Sequence, residues 1–323
     1  MLFILAGHVY VHGYKNIGLN NPDADLLSNL LMSFFTCAVD CFVLISGWFS
    51  IRLKFKSVWN LFSVCCFYGL AAYFLHLFVD GQHLGRSIIY NGIFPFSNPP
   101  GWWFIREYFY LLLISPVLNY AIASLDKVRF RYVLVLLTVF NLYFGFLWRN
   151  DVNSSGYCLC NFIWLYFIGR YLRLHCSLDK PSAVYFVRYL ITCVLLAALC
   201  FAGFRLGSDS VFFDNTRYNT LVMLAAIWLF CTFARLNFHS GAINWLASSA
   251  LAAYLITDNN YIGGWYYPAA HYCCSSWHLP VLIIAAAALF LCIVTDKVRF
   301  YIFRPLNKLV VKLCDKYQYL IPE

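Results

Sequence analysis

Two histidines sit inside the apolar opening of this chain, Met-Leu-Phe-Ile-Leu-Ala-Gly-His-Val-Tyr-Val-His-Gly, at His8 and His12. Four residues apart, they share one face of a helix. An ionisable side chain at membrane depth is costly to keep, and it marks a protein-enclosed cavity that uses it. Imidazole titrates near neutral pH, so the chemistry it suits is removing a proton from a poor nucleophile such as a hydroxyl. His8 is therefore the candidate general base, on a face that borders a reaction chamber, and His12, nearer the surface, reads as structural. The bland alternative for His8 is a histidine bonded to a backbone carbonyl of a neighbouring helix.

The other polar groups in apolar surroundings are Asp40, Arg106, Glu107, Asp258 and Asn259. Asp40 either braces a helix pair or serves the chemistry. Arg106 and Glu107 are adjacent, so they point about 100° apart on a helix and do not face one another. Each then needs its own partner, which favours ligand binding over a self-neutralising pair. Ser46-Gly47 fits a small-residue contact that lets two helices approach. Trp102, Trp103, Trp265 and Trp277 fit a belt at the membrane boundary.

The elements that position these groups follow from composition. Of the 323 residues, 62% are hydrophobic, 20% aromatic and 11% charged, against about 25% charged in an average soluble protein. Apolar runs of membrane-spanning length recur about ten times. The expected fold is all-α, a polytopic transmembrane bundle of about ten helices. The spans are expected near 1–14, 26–49, 58–79, 102–123, 132–148, 157–174, 183–204, 220–234, 243–261 and 279–294. The first is read as an uncleaved helix whose start is clipped, since it has no basic flank and no small-residue cleavage site. Residues 1–295 form the transmembrane domain and 296–323 a basic, amphipathic tail.

The 14 cysteines are scattered through apolar runs without a CxxC pair, so they read as small buried hydrophobes and not as zinc ligands. Cys158, Cys160, Cys273 and Cys274 fall in or near expected outer loops, where a disulfide is an option. The net charge of +9 is explained by topology and not by nucleic acid. The loops after spans two, four and six hold Arg52, Lys54, Lys56, Lys127, Arg129, Arg131, Arg170, Arg173 and Lys180, and the tail adds Lys297, Arg299, Arg304, Lys308, Lys312 and Lys316. The positive-inside rule puts these loops and both termini in the cytoplasm. At about 1.5 Å per residue, Asp40 then lies past the midplane toward the cytoplasm, whereas Arg106, Glu107 and Asp258 lie toward the outer side. Such a spread suits a donor entering from one face and an acceptor from the other.

Four stretches in this order carry a resemblance. They are Phe-Ile-Leu-Ala-Gly-His, Val-Asp-Cys-Phe-Val-Leu-Ile-Ser-Gly-Trp-Phe, Trp-Trp-Phe-Ile-Arg-Glu-Tyr-Phe-Tyr-Leu-Leu-Leu-Ile-Ser-Pro-Val-Leu-Asn and Ala-Tyr-Leu-Ile-Thr-Asp-Asn. Together they resemble the integral-membrane acyltransferase family three. The resemblance implies transfer of an acetyl or other short acyl group from cytoplasmic acyl-CoA, a co-substrate and not a bound cofactor. The acceptor it implies is a hydroxyl of a cell-surface polysaccharide or lipid-linked glycan, and the setting a bacterial inner membrane. His8 matches the family's first-helix histidine. Asp40, Ser46 and Gly47 match its Asp…Ser-Gly stretch, and Trp103, Pro116 and Asn119 its Trp…Pro-x-x-Asn helix. Two positions depart from the pattern. The place of the family's upstream basic residue falls before Met1, and its ninth-helix histidine is here Thr257, followed by Asp258 and Asn259.

On this reading His8 and Asp40 are catalytic, Asp40 orienting the imidazole, with Ser46 or a backbone amide stabilising the oxyanion. Ser46, Trp103, Arg106, Glu107, Asn119, Asp258 and Asn259 are the candidate substrate contacts. The partners expected are acyl-CoA, the glycan acceptor and membrane lipid, with no nucleic acid and no metal. Transfer is expected to be direct, since no serine or cysteine is visibly coupled to a base. The rivals are a transporter or flippase without chemistry, which the intramembrane charges also fit, and a glycan polymerase, whose large arginine-bearing outer loop has only Arg86 as a counterpart.

Overall fold

In lipid every backbone N–H and C=O must be satisfied within its own segment, so an apolar chain of this kind folds as helix. A computed structural model of the protein describes residues 1–12, 26–81, 83, 85–92, 94–96, 101–147, 154–207, 220–305, 309 and 312, and no strand occurs among them. In chain order the helices are α1 (Leu2–Tyr10), α2 (Leu26–Thr36), α3 (Ala38–Phe49), α4 (Phe55–Asp80), α5 (Ser87–Gly92), α6 (Trp103–Ala123), α7 (Lys127–Val139), α8 (Leu159–His175) and α9 (Ser182–Arg205). They continue with α10 (Thr220–Ala234), α11 (Gly241–Ala247), α12 (Ala250–Thr257), α13 (Asn260–Ser276) and α14 (Val281–Ile302). Four stretches are long and apolar enough to cross a membrane: Asn29–Phe49, Phe55–Asp80, Ser182–Arg205 and Val281–Ile302. The basic residues Lys15, Arg149, Arg217, Lys308 and Lys316 lie outside the described residues, as does most of the tail beyond α14.

Several expected spans are interrupted, for local reasons. The second is divided at Cys37, after Ser33 and Thr36 bond their hydroxyls back to the carbonyls of Asn29 (2.7 Å) and Met32 (3.0 Å). Such back-bonding bends helices. The ninth, expected as one helix over 243–261, is three. Ser248 bonds its hydroxyl to the Trp245 carbonyl at 2.8 Å where α11 ends, and Asn259 caps a new helix after Asp258. That new helix, α13, occupies a stretch expected as outer loop, and it carries Cys273 and Cys274. After Val139, α7 continues as a π-helix over Phe140–Leu147. None of the described cysteines is in a disulfide, the candidate four included, and Cys160 is exposed while the others are buried or half-buried.

The chain divides into two compact units. One comprises Met1–Val9, Arg52–Arg106 and Ser240–Glu323. In it the backbones of α4 and α5 meet at Gly69, where an added Cβ would stand 2.7 Å from the Asn91 carbonyl oxygen. The buried Asp296 of α14 accepts the Tyr68 hydroxyl of α4 at 2.8 Å and the Arg299 guanidinium at 2.8–2.9 Å. Such partners offset the cost of burying this carboxylate. Lys297 reaches back to the end of α11, to the Trp245 carbonyl at 3.0 Å and the Ser248 hydroxyl at 2.6 Å.

The other unit comprises Tyr10–Ile51 and Glu107–His239. Here α3 crosses α8 where Gly47 faces the Tyr166 backbone and Gly169 faces the Leu44 carbonyl, both too close to admit a Cβ. This is the small-residue contact expected at Ser46-Gly47. Helix α9 is tied to α2 by the Tyr189 hydroxyl on the Phe34 carbonyl (2.8 Å) and to α10 by the Ser182 hydroxyl on the Thr232 carbonyl (2.9 Å).

Candidate active site

In the first unit His8 of α1 lies beside the break between α12 and α13. Its Nε2 is 3.8 Å from Oδ1 of Asp258. The imidazole also packs against the buried Tyr254, ring centroids 6.1 Å apart, and Tyr254 in turn meets Phe104 edge to face at 5.8 Å. At 3.8 Å the pair is within electrostatic reach but longer than a hydrogen bond.

The break that presents Asp258 is built by side chains. A helix end leaves carbonyls without intrahelical partners. At the end of α12 the Leu255 carbonyl accepts the Trp102 indole N–H at 3.0 Å, and the Thr257 carbonyl accepts the Tyr267 hydroxyl at 2.8 Å. Thr257 bonds its hydroxyl to the Ala253 carbonyl at 2.9 Å. Asn259 caps α13 with Oδ1 on the Tyr261 N–H at 2.9 Å, and its buried Nδ2 has no hydrogen-bond partner. A buried amide donor left unmatched costs about 1–3 kcal/mol, so Asn259 holds a ready donor next in sequence to Asp258. Gly101 (φ +82°) leads into α6, and a Cβ there would overlap the Asn260 side chain. Trp103, at the start of α6, packs edge to face on Phe104 at 6.0 Å. Arg106 closes this unit's share of α6.

The remaining candidates belong to the second unit. Asp40 of α3 is 1% exposed, and neither carboxyl oxygen has a hydrogen-bond partner. Ser46 bonds its hydroxyl to the Phe42 carbonyl at 2.9 Å and lies 3.3 Å from the Tyr108 hydroxyl. Asn119 of α6 is engaged through both amide atoms. Its Nδ2 donates to the Ile51 carbonyl at 2.7 Å, and its Oδ1 accepts the hydroxyls of Tyr166 (2.6 Å) and Ser50 (3.1 Å). Tyr166 also accepts the Ile51 N–H at 3.1 Å. This node fixes the sharp exit from α3, where Ser50 has φ +64°. Glu107 is buried near the start of its unit's share of α6.

One further pair escaped the sequence reading. At the end of α4, His76 Nδ1 lies 2.6 Å from Asp80 Oδ2, and the imidazole lies 4.9 Å from the Tyr261 ring and 6.1 Å from Trp265. The spacing His-x-x-x-Asp at a helix end was the available signal. Among the described residues no cluster of histidine, cysteine and carboxylates could hold a metal ion.

So the structure joins His8 to Asp258 and sets Asn259 beside that carboxylate in sequence, with Asp40, Ser46, Glu107 and Asn119 in the other unit. No curated protein and no solved structure matches the chain. A family model described as an acyltransferase domain matches residues 1–297, which include every candidate site residue named above. The protein is thus a membrane protein that belongs to acyltransferase family three.

Proposed function

We propose that the protein is an O-acyltransferase that moves an acetyl or other short acyl group from cytoplasmic acyl-CoA to a hydroxyl of a cell-surface polysaccharide or lipid-linked glycan. The setting proposed is a bacterial inner membrane, with the basic loops and both ends of the chain facing the cytoplasm. The observation that carries the reading is the His8–Asp258 pair within a chain of this family.

The chemistry runs as follows. The acceptor hydroxyl gives its proton to His8 as its oxygen attacks the thioester carbonyl. Asp258 orients the imidazole and offsets the charge of the imidazolium, the part first expected of Asp40. The Asn259 amide, whose Nδ2 has no protein partner, donates to the oxyanion. Collapse of the tetrahedral intermediate breaks the C–S bond, and the thiolate of CoA takes the proton from His8. No acyl-enzyme forms. Trp103 and Arg106, at the start of α6 in the same unit, contact substrate, and Glu107 receives acceptor hydroxyls in its own unit.

The test is transfer of label from acetyl-CoA into glycan by membranes carrying the protein. Label is expected with the parent and absent with His8→Ala at equal protein levels. Acylated protein trapped when acceptor is withheld would sink direct transfer, and no transfer to any of a panel of glycans would sink the assignment.

A further inference from the structure

Among the arginines of the second unit with no carboxylate partner among the described residues, Arg170, Arg173 and Arg188 lie toward one end of its helices. Arg170 and Arg173 lie on the last turns of α8, one helical turn apart and on one face. Arg188 lies near the start of α9, which a short connection joins to α8. The ends of α3 and α10 are at this place too. Arg170 donates to the carbonyl of Trp48 on α3 at 3.4 Å, and Ser182 at the start of α9 donates to Thr232 near the end of α10. Asp179, the carboxylate in the connection, accepts instead from Ser177.

The aromatic rings show how the two outer arginines are held. The Arg173 guanidinium lies 5.1 Å from the centroid of Trp48, and that of Arg188 lies 4.9 Å from Trp228 and 5.8 Å from Tyr185. A guanidinium stacked on a ring is fixed in plane, and its N–H edges stay directed outward as a fork. Two such forks, with no carboxylate partner among the described residues, match phosphate groups. A site for a protein carboxylate would be expected to contain one, and none of the three has one among the described residues. The helix C-termini at the same place favour cations in general, but they account directly only for Arg170, which bonds a terminal carbonyl. Arg173 and Arg188 are left with ring contacts alone.

We propose that Arg173 and Arg188, with Arg170 bracing Trp48 between them and α3, form a binding site for phosphate esters that receives the phosphoadenosine diphosphate end of the acyl-CoA donor. The proposal rests on the acyltransferase reading for the identity of the ligand. The loop charges put this end of the unit toward the cytoplasm, where the donor is. Lipid headgroups offer the same phosphate chemistry, so the test separates the two sources.

The purified full chain is placed in nanodiscs of phosphatidylcholine alone or with phosphatidylglycerol, and binding of 3′-phosphoadenosine 5′-diphosphate is measured by calorimetry. In the neutral discs, Arg173→Gln and Arg188→Gln are each expected to weaken binding by roughly tenfold. The charge-retaining Arg173→Lys and Arg188→Lys recover part of that loss, which separates a lost contact from a misfolded protein. Unchanged affinity in both glutamine variants overturns the proposal. So does a parent that fails to bind the probe in neutral discs, or variants whose sole change is less phosphatidylglycerol retained. Binding that depends on both arginines in a protein transferring no acyl group leaves this site standing and removes the acyltransferase reading. Acyl transfer with an unaltered KM for acetyl-CoA in both variants does the reverse.

Discussion

Nε2 of His8 and Oδ1 of Asp258 stand 3.8 Å apart, although 249 positions separate them along the chain. General base catalysis contributes about 10²–10⁴-fold to a rate, so His8→Ala is expected to lose activity on that scale. Asp258→Asn keeps the shape and removes the charge, and should lower kcat by on the order of tenfold with little change in KM. Steady-state kinetics on reconstituted protein checks both. Equal activity in Asp258→Asn and parent would leave His8 without its orienting group.

His76 and Asp80 make the shorter contact, 2.6 Å, and are the structural alternative to that pair. With His8 as base, His76→Ala is expected to retain activity within about threefold of the parent, a change below 1 kcal/mol. Loss of all transfer in His76→Ala, with His8→Ala active, would move the base to the end of α4.

The crossing of α3 and α8 admits no Cβ at Gly47 or Gly169. Gly47→Ala and Gly169→Ala should each destabilise by about 1–3 kcal/mol, the usual cost of overpacking. A fall in the thermal transition of the detergent-solubilised protein is the readout. Gly241→Ala, where an added Cβ meets open space, is the matched control and should leave the transition in place.

Asp126 caps α7 by accepting the Arg129 N–H at 2.8 Å, and that backbone bond holds its carboxyl below the usual carboxylate range. A carboxyl depressed on folding adds stability above its unfolded pKa and loses it as pH falls through the folded value. The Arg129 amide should therefore be better protected from hydrogen exchange at neutral pH and lose that protection below pH ~4. Asp126→Asn keeps a capping oxygen and should remove the pH dependence of that protection.

Hydropathy made the helical class and the membrane setting legible, because a long apolar run in lipid has few conformations open to it. The cost of burying an imidazole singled out His8. The helix breaks were not legible. Cys37 is as apolar as its neighbours, and Ser248 scarcely lowers the hydropathy of its window, yet the hydroxyls of Ser33, Thr36 and Ser248 bond back to the backbone beside the breaks. Helix α13 was hidden by Gly263, Gly264 and Pro268, which signal a loop by themselves but here sit within a continuous helix. Partnerships across the sequence were the least visible. By residue type Asp40 was paired with His8 and Asp258 set among the substrate contacts, and it is the folding of α12 and α13 about Asn259 that brings Asp258 to the imidazole. Asn119 carried a family pattern, but its bonds to Ile51, Ser50 and Tyr166 are readable only in three dimensions.

Among the free thiols of the described chain, Cys160 at the start of α8 is the exposed one. The protein therefore carries its own handle for chemical labelling. A maleimide that cannot cross lipid, added to intact cells, should tag Cys160 from outside if the basic loops face the cytoplasm, and only after lysis if the orientation is reversed. The sidedness of the protein can be read in this way against a Cys160→Ser control, with no cysteine introduced.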